Sequence, residues 1–238
     1  DVIDVAWGEG LPADRYEELL RADADHQIKA VLATHNETAT GVRSDIAAIR
    51  EALDAAGHPA LLMVDGVSSI GSMPFEFDAW GVDVAVTGSQ KGFMLPAGLG
   101  IMAFSQKALA FTETAELHRT YFDIRDMMAA YPGNSYPYTP SIGLMNGLAE
   151  ACKMIEAEGL EAVFARHTRL AEGVRAAVAA WGMSPCAVSP DVYSDTVTAI
   201  RTPEGFDAGL IPTHAAKTYG VAFGGGLGNV QGKVFRIG

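Results

Sequence analysis

Two residues able to do chemistry stand at the ends of apolar, strand-like runs. Lys91 closes Thr87-Gly88-Ser89-Gln90-Lys91-Gly92, directly after the apolar stretch Val82 to Ser89, and its small neighbours leave room for a bulky group. A lysine so placed is either a surface residue at a strand end or an amine held against an apolar wall. In the second case desolvation lowers its pKa and makes it a Schiff-base nucleophile. Asp65 closes Leu61-Leu62-Met63-Val64. A carboxylate at the end of a buried strand is costly unless a cation or hydrogen bonds answer it, and helix capping is the alternative reading.

Pyridoxal chemistry asks for this pair of groups. A lysine forms the imine with the cofactor aldehyde, and an acid keeps the pyridine nitrogen protonated so that the ring withdraws electrons from the substrate α-carbon. Asp65 and Lys91 follow successive predicted strands, at the sheet edge where open α/β folds bind ligands.

The elements that must position them are legible in the hydropathy pattern. Ala30 to Thr34, Leu61 to Asp65, Val82 to Ser89 and Gly100 to Phe104 read as strands, and Ser44 to Ala56 as a helix with Ser44 as its N-cap. Alternation of this kind predicts a mainly parallel sheet with helices on its faces. Further on, Ser141 to Glu156 reads as a helix with Leu144, Leu148, Cys152 and Ile155 on one face, and Leu160 to Trp181 as a long helix stopped at Gly182. Thr196 to Ile200 reads as a strand, Asp207 to Tyr219 as a helix, and Gly224 to Gly228 as a turn. The division expected is residues 1–157 in a large domain and 158–238 in a smaller α+β domain. Val2 to Val5 and Lys233 to Gly238 both read as strands, and the chain looks cut at both ends, a fragment.

The ordered block Thr34 to Gly41, Val64 to Ser69 and Gly88 to Lys91 resembles the class V pyridoxal-phosphate-dependent aminotransferases. Tyr136 to Pro140, Gly224 to Gly228 and Gly232 to Gly238 are similar to the serine–glyoxylate and alanine–glyoxylate members of that family. The resemblance implies the fold type I architecture of pyridoxal-phosphate-dependent transferases: a mainly parallel sheet with helices on both faces and a smaller α+β C-terminal domain. It implies pyridoxal 5'-phosphate on Lys91, with Asp65 at the ring nitrogen, Val67 packed under the ring, Thr38 on the side of the phenolic oxygen and Gln90 at the phosphate. Tyr136 and Thr139 match positions that reach the phosphate of a neighbouring subunit, which implies a homodimer with shared sites. Arg236, inside apolar Val234-Phe235-Arg236-Ile237, suits bidentate capture of a substrate carboxylate; a structural salt bridge is the other reading.

The activity implied is transfer of an amino group from L-serine or L-alanine to glyoxylate, giving glycine. Gly71 to Phe75 and Lys91 to Pro96 lean towards the bacterial serine–glyoxylate type. The alternatives are a desulfurase-like member, which requires a reactive loop cysteine that neither Cys152 nor Cys186 suits, and a non-catalytic α/β ligand-binding domain. The phosphate-cupping loop and ring-stacking aromatic that family members carry earlier in the chain are not in this sequence; Trp7 comes too late to be that aromatic.

Composition narrows the partners. A net charge of −12 opposes nucleic acid and anionic membranes, leaving small amino and 2-oxo acids as substrates. No apolar run approaches the roughly 20 residues of a membrane span, so a cytoplasmic enzyme is expected. Cys152 and Cys186 read as reduced core thiols. The six histidines show no metal-ligand spacing, and His35, the one nearest the inferred site, is as readily structural as catalytic.

Overall fold

The computed structural model describes all 238 residues. After Pro12 the chain forms α1 (Ala13–Ala22), which turns into β1 (Ala30–Thr34) through Asp23. The Asp23 carboxylate accepts hydrogen bonds from the amides of Gln27 and Ile28, which hold its pKa below the ordinary carboxylate value. A short hairpin of β2 (Asn36–Glu37) and β3 (Val42–Arg43) follows, then α2 (Ile46–Ala55), β4 (Leu61–Asp65), β5 (Val84–Gly88) and β6 (Gly100–Phe104).

These strands form a sheet in the order β1-β4-β5-β6, parallel across the first three, with β6 antiparallel to β5. Side chains alternate across a strand, so Val31, Ala33, Leu62, Val64 and Ala85 share one face. That face packs on Leu20 of α1 and on Ile46, Ile49 and Leu53 of α2. Ile49, Leu53 and Leu62 are fully buried, each contributing roughly 1.5–3 kcal/mol. On the opposite face Leu32 and Met102 stay exposed. Asp83, buried just before β5, accepts from the Leu62 amide at 2.9 Å and the Ser105 hydroxyl at 2.7 Å, with Lys107 Nζ 3.3 Å away, so its charge is answered.

Beyond β6 come α3 (Gln106–Phe111), α4 (Ile124–Ala130), a 3-10 turn at Tyr131–Gly133, α5 (Ile142–Glu158) and α6 (Leu160–Ala180). A second, wholly antiparallel sheet then has the order β7-β8-β10-β9, from β7 (Ser184–Pro185), β8 (Thr198–Arg201), β9 (Gly224–Gly225) and β10 (Val234–Ile237), with α7 (Leu210–Tyr219) between β8 and β9. Val178 of α6, Ile200 and Phe235 form its small core.

Several sequence expectations need correction. Val2 to Val5 form no strand, and Val2 is exposed, because no neighbour offers them a ladder. The cap of α2 is Asp45, whose carboxylate accepts from the Ala48 amide; Ser44 instead accepts from the Leu11 amide and ties the N-terminal segment down. On α5 the buried residues are Ala151 and Ile155, with Leu144 and Leu148 partly buried, so the stripe passes one position round from Cys152, which is exposed. Cys186 is buried, and burial pushes its thiol pKa up. The helix expected from Asp207 starts at Leu210, since the Asp207 carboxylate spends itself on the Gly209 amide. Gly224 and Gly225 are a strand rather than a turn, paired with Arg236 and Phe235.

Candidate active site

The parallel register places Thr34 beside Asp65 and Asp65 beside Val86, so the loops after β1, β4 and β5 emerge together. The ladder continues into them: the His35 amide donates to the Asp65 carbonyl at 2.9 Å and the Gly66 amide to the Val86 carbonyl at 3.0 Å.

Lys91 sits three residues past β5, in a turn closed by its own amide on the Gly88 carbonyl. Fully buried Ser89 organises the loop, donating to the Pro96 carbonyl at 2.8 Å and accepting from the Leu99 amide at 3.2 Å. Gly92 then lies backbone against backbone on the loop after β4: a Cβ there would meet the Ile70 carbonyl oxygen at 2.2 Å. That close approach fixes Lys91 relative to the loop that carries Asp65.

The Asp65 side chain is exposed, and its Oδ1 accepts from the Val67 amide at 2.9 Å. The expected buried carboxylate awaiting a cation is therefore corrected: Asp65 is solvated and closes its own turn. Lys91 and Gln90 are exposed as well, and Val67 is half-buried. Gln90 folds back over Gly88, where a Cβ would stand 2.7 Å from its Oε1.

Thr38, Asn36 and Ser68 meet where the β2–β3 hairpin touches the Asp65 loop. Thr38 donates from its hydroxyl to Ser68 Oγ at 3.0 Å, and Ser68 donates to the Asn36 carbonyl at 2.8 Å. Asn36 Nδ2 faces Ser68 Oγ at 2.8 Å and Thr196 Oγ1 at 3.0 Å, and Thr196 in turn donates to the Ser68 carbonyl at 2.9 Å. Asn36 Oδ1 is buried with no partner.

A cleft of about 660 Å³ opens between these loops and α6, lined among others by Thr38, Ser68, Lys91, His167, Thr196 and Ile237. His167 donates from Nδ1 to the Val163 carbonyl at 2.8 Å, which leaves Nε2 of the neutral ring as an acceptor. Arg236 donates from Nε to the Gly225 carbonyl at 2.8 Å and from Nη1 to the Thr38 carbonyl at 3.3 Å. Both acceptors are neutral, and no carboxylate lies within ion-pair distance, so the structural salt bridge is absent. Gly224 makes room for this guanidinium: a Cβ would stand 3.2 Å from Nε and Nη2.

Tyr136 and Thr139 do not line the cleft. They lie on the exposed segment between α4 and α5, beside a cluster of Tyr121, Phe122 and Tyr138. His35 is buried edge-on against Phe75 and Trp80 with Nδ1 unpartnered. Burial, and secondarily the Arg43 charge, lower its pKa to about 4, so it is neutral at pH 7. It packs; it does not reach the cleft lining. Ser68, Thr196 and His167 escaped the sequence reading. Ser68 lay within a recognised motif, whereas Thr196 joins Asn36 across 160 residues and carries no local signal.

A family model described as aminotransferase class V matches residues 9–223. The chain is 69% identical over 236 residues to an L-aspartate–glyoxylate aminotransferase from Paracoccus denitrificans, covering 99% of this chain and 60% of that protein. It is 55% identical over 240 residues to a serine–glyoxylate aminotransferase from Hyphomicrobium methylovorum, covering 100% of this chain and 59% of that protein. Among solved structures it is similar to pyridoxamine–pyruvate aminotransferase from Mesorhizobium loti, with a TM-score of 0.91 and 36% identity over 99% of this chain and 60% of that one. This chain thus spans about 60% of the length of such relatives. A Lys91 turn locked to the Asp65 loop, a cleft beside it and a family match over most of the sequence agree: the chain belongs to the class V aminotransferases.

Proposed function

We propose that this protein is a glyoxylate-dependent aminotransferase that carries pyridoxal phosphate on Lys91. One observation carries the reading: the Lys91 amine and the Thr38 hydroxyl line one cleft, and Arg236, whose guanidinium meets no carboxylate, is anchored on the Thr38 carbonyl. The residues fit the cofactor. The cleft offers the Lys91 amine and the hydroxyls of Thr38, Ser68, Ser72, Thr196 and Thr198, and the orphaned Asn36 Oδ1 lies in the network behind them. The bound cofactor supplies an electron sink for the substrate α-carbon.

The chain's own groups supply the rest. Lys91 attaches the cofactor and moves a proton at the substrate α-carbon. With the cofactor bound, Asp65 would serve the ring nitrogen, Val67 would pack under the ring, Thr38 would hydrogen-bond on the side of the phenolic oxygen and Gln90 would help hold the phosphate. Arg236 takes the substrate carboxylate, for which its planar fork of donors is suited. Tyr136 and Thr139, outside the cleft of their own chain, serve the site of a second copy in a homodimer. The exposed Leu117, Tyr121, Phe122 and Tyr131 of the same region support such an interface. Residues 1–157 belong to the cofactor-binding domain and 158–238 to the smaller domain. A net charge of −12 and the lack of any helix able to cross a membrane support a cytoplasmic enzyme acting on small acids.

The amino donor is the open choice. The resemblance in Gly71 to Phe75 favours L-serine, and the name of the 69%-identical relative supports L-aspartate as a second donor to test. Neither Cys152 nor Cys186 lines the cleft, so a desulfurase reading has no nucleophile. The test is glycine formation from glyoxylate by the cofactor-loaded protein with L-serine, L-aspartate or L-alanine. Activity with serine or aspartate supports the proposal; no glycine from glyoxylate with any of the three donors would sink it.

A further inference from the structure

The segment Trp7 to Leu11 belongs to neither sheet yet is bonded to the surroundings of both. Its Leu11 amide donates to Ser44 Oγ at 3.2 Å, at the start of α2. Its Gly8 carbonyl accepts from the Val188 amide at 2.9 Å, and its Trp7 carbonyl accepts from Arg201 Nη2 of β8 at 3.3 Å. The segment runs flush against the second sheet: Gly8 has a φ of +107°, and a Cβ there would stand 2.3 Å from the Cys186 carbonyl oxygen. The Trp7 ring then lies on Gly228, where a Cβ would meet its Cη2 at 2.8 Å. Gly228 opens the 3-10 turn Gly228–Val230 on the connection from β9 to β10. Those two strands set Arg236, since Gly224 pairs with Arg236 and the Gly225 carbonyl accepts from its Nε at 2.8 Å.

We propose that Trp7 is a positioning residue that holds the β9–β10 hairpin, and with it the Arg236 guanidinium, in place beside Thr38. The proposal rests on the reading of Arg236 as the holder of the substrate carboxylate. Arg236 Nη1 reaches the Thr38 carbonyl at 3.3 Å, near the outer limit of a hydrogen bond, so a small displacement of the hairpin breaks it. At one end of the turn Val230 is fixed by burial with Cys186, Ala199 and Val234. At the other end Gly228, with a φ of +50°, has no side chain of its own to pack, and the Trp7 ring takes that place. Trp7 is 41% exposed, so truncating it loosens the turn without emptying a core. A guanidinium displaced in this way binds substrate and transition state equally less well, which raises KM and leaves kcat.

The experiment is steady-state kinetics of the cofactor-loaded protein with glyoxylate and the better of L-serine and L-aspartate, comparing Trp7→Ala, Trp7→Phe, Arg236→Lys and Trp181→Ala with the unsubstituted chain. Trp181, at the end of α6 and 53% exposed, controls for the loss of an indole away from the hairpin. A titration with 2-methylalanine, which has no α-proton to lose, reads binding without turnover. The proposal expects Trp7→Ala to raise KM for both substrates, and the 2-methylalanine dissociation constant, by about tenfold, with kcat within about twofold. Trp7→Phe, which keeps a ring over Gly228, restores most of the loss, and Trp181→Ala changes neither constant. An unchanged KM in Trp7→Ala, or an equal rise in Trp181→Ala, overturns the proposal; a raised KM in Arg236→Lys then leaves the substrate reading of Arg236 intact. An unchanged KM in Arg236→Lys overturns both.

Discussion

Arg236 Nη1 donates to the carbonyl oxygen of Thr38 at 3.3 Å across a sequence separation of 198 residues. The bond joins the hairpin after β1 to the last strand of the second sheet. It brings a guanidinium with no carboxylate partner to the residue that lines the cleft with Lys91. Arg236→Lys keeps the charge but loses the planar fork. The account expects kcat/KM to fall by on the order of 10²-fold, carried mainly by KM for both the amino and the 2-oxo acid. Steady-state kinetics with each substrate varied would check it; an unchanged KM would remove Arg236 from the substrate.

Gly92 is a separate point of attack. A Cβ at 92 would stand 2.2 Å from the Ile70 carbonyl oxygen, and both partners are backbone, so neither can swing aside. Gly92→Ala is expected to cost about 2 kcal/mol and to displace Lys91, lowering cofactor incorporation. Urea unfolding and the absorbance of bound cofactor after dialysis measure the two effects. A fully loaded protein of normal stability would contradict the packing described.

His35 sets an acid limb. Its folded-state pKa is lowered from 6.5 to about 4 by burial. The unfolded chain therefore takes up a proton as pH falls through 6.5, while the folded chain resists until about 4. The folded state binds fewer protons, so the stabilisation is complete above pH 6.5 and is lost on the way down to about 4. The loss is about 3 kcal/mol in total. Urea midpoints at pH 8 and pH 5 should differ less in His35→Gln than in the unsubstituted chain; equal acid sensitivity would show that His35 is not the cause.

Strands of the first sheet are legible because each is a short, nearly continuous apolar run closed by small or polar residues. Ala30 to Thr34, Leu61 to Asp65 and Gly100 to Phe104 were read with the bounds observed. Val2 to Val5 has the same composition but no neighbouring strand, and β propensity alone does not make a strand. The short helices α1, α3 and α4 were passed over, although Tyr16, Leu19 and Leu20 carry the helical spacing. At the site, Lys91 and Asp65 stood out because each follows an apolar run. What their side chains meet could not be read, as with the Asp65 carboxylate turned onto its own Val67 amide. The Thr196 link depends on how the second sheet docks, which no local pattern encodes.

The donor preference yields its own expectation. If Arg236 holds the α-carboxylate common to every amino acid, exchanging L-serine for L-aspartate changes contacts elsewhere in the cleft. Arg236→Lys should then weaken both donors by a similar factor, within about threefold of each other. Unequal losses of tenfold or more would mean that Arg236 reads the side chain.

The most direct test of the central claim is the absorption spectrum of the protein with added pyridoxal phosphate, beside that of Lys91→Ala. The account predicts a near-visible band that survives gel filtration, is lost in Lys91→Ala and bleaches on adding L-serine or L-aspartate. A band that persists in Lys91→Ala, or none in the unsubstituted protein, would contradict it.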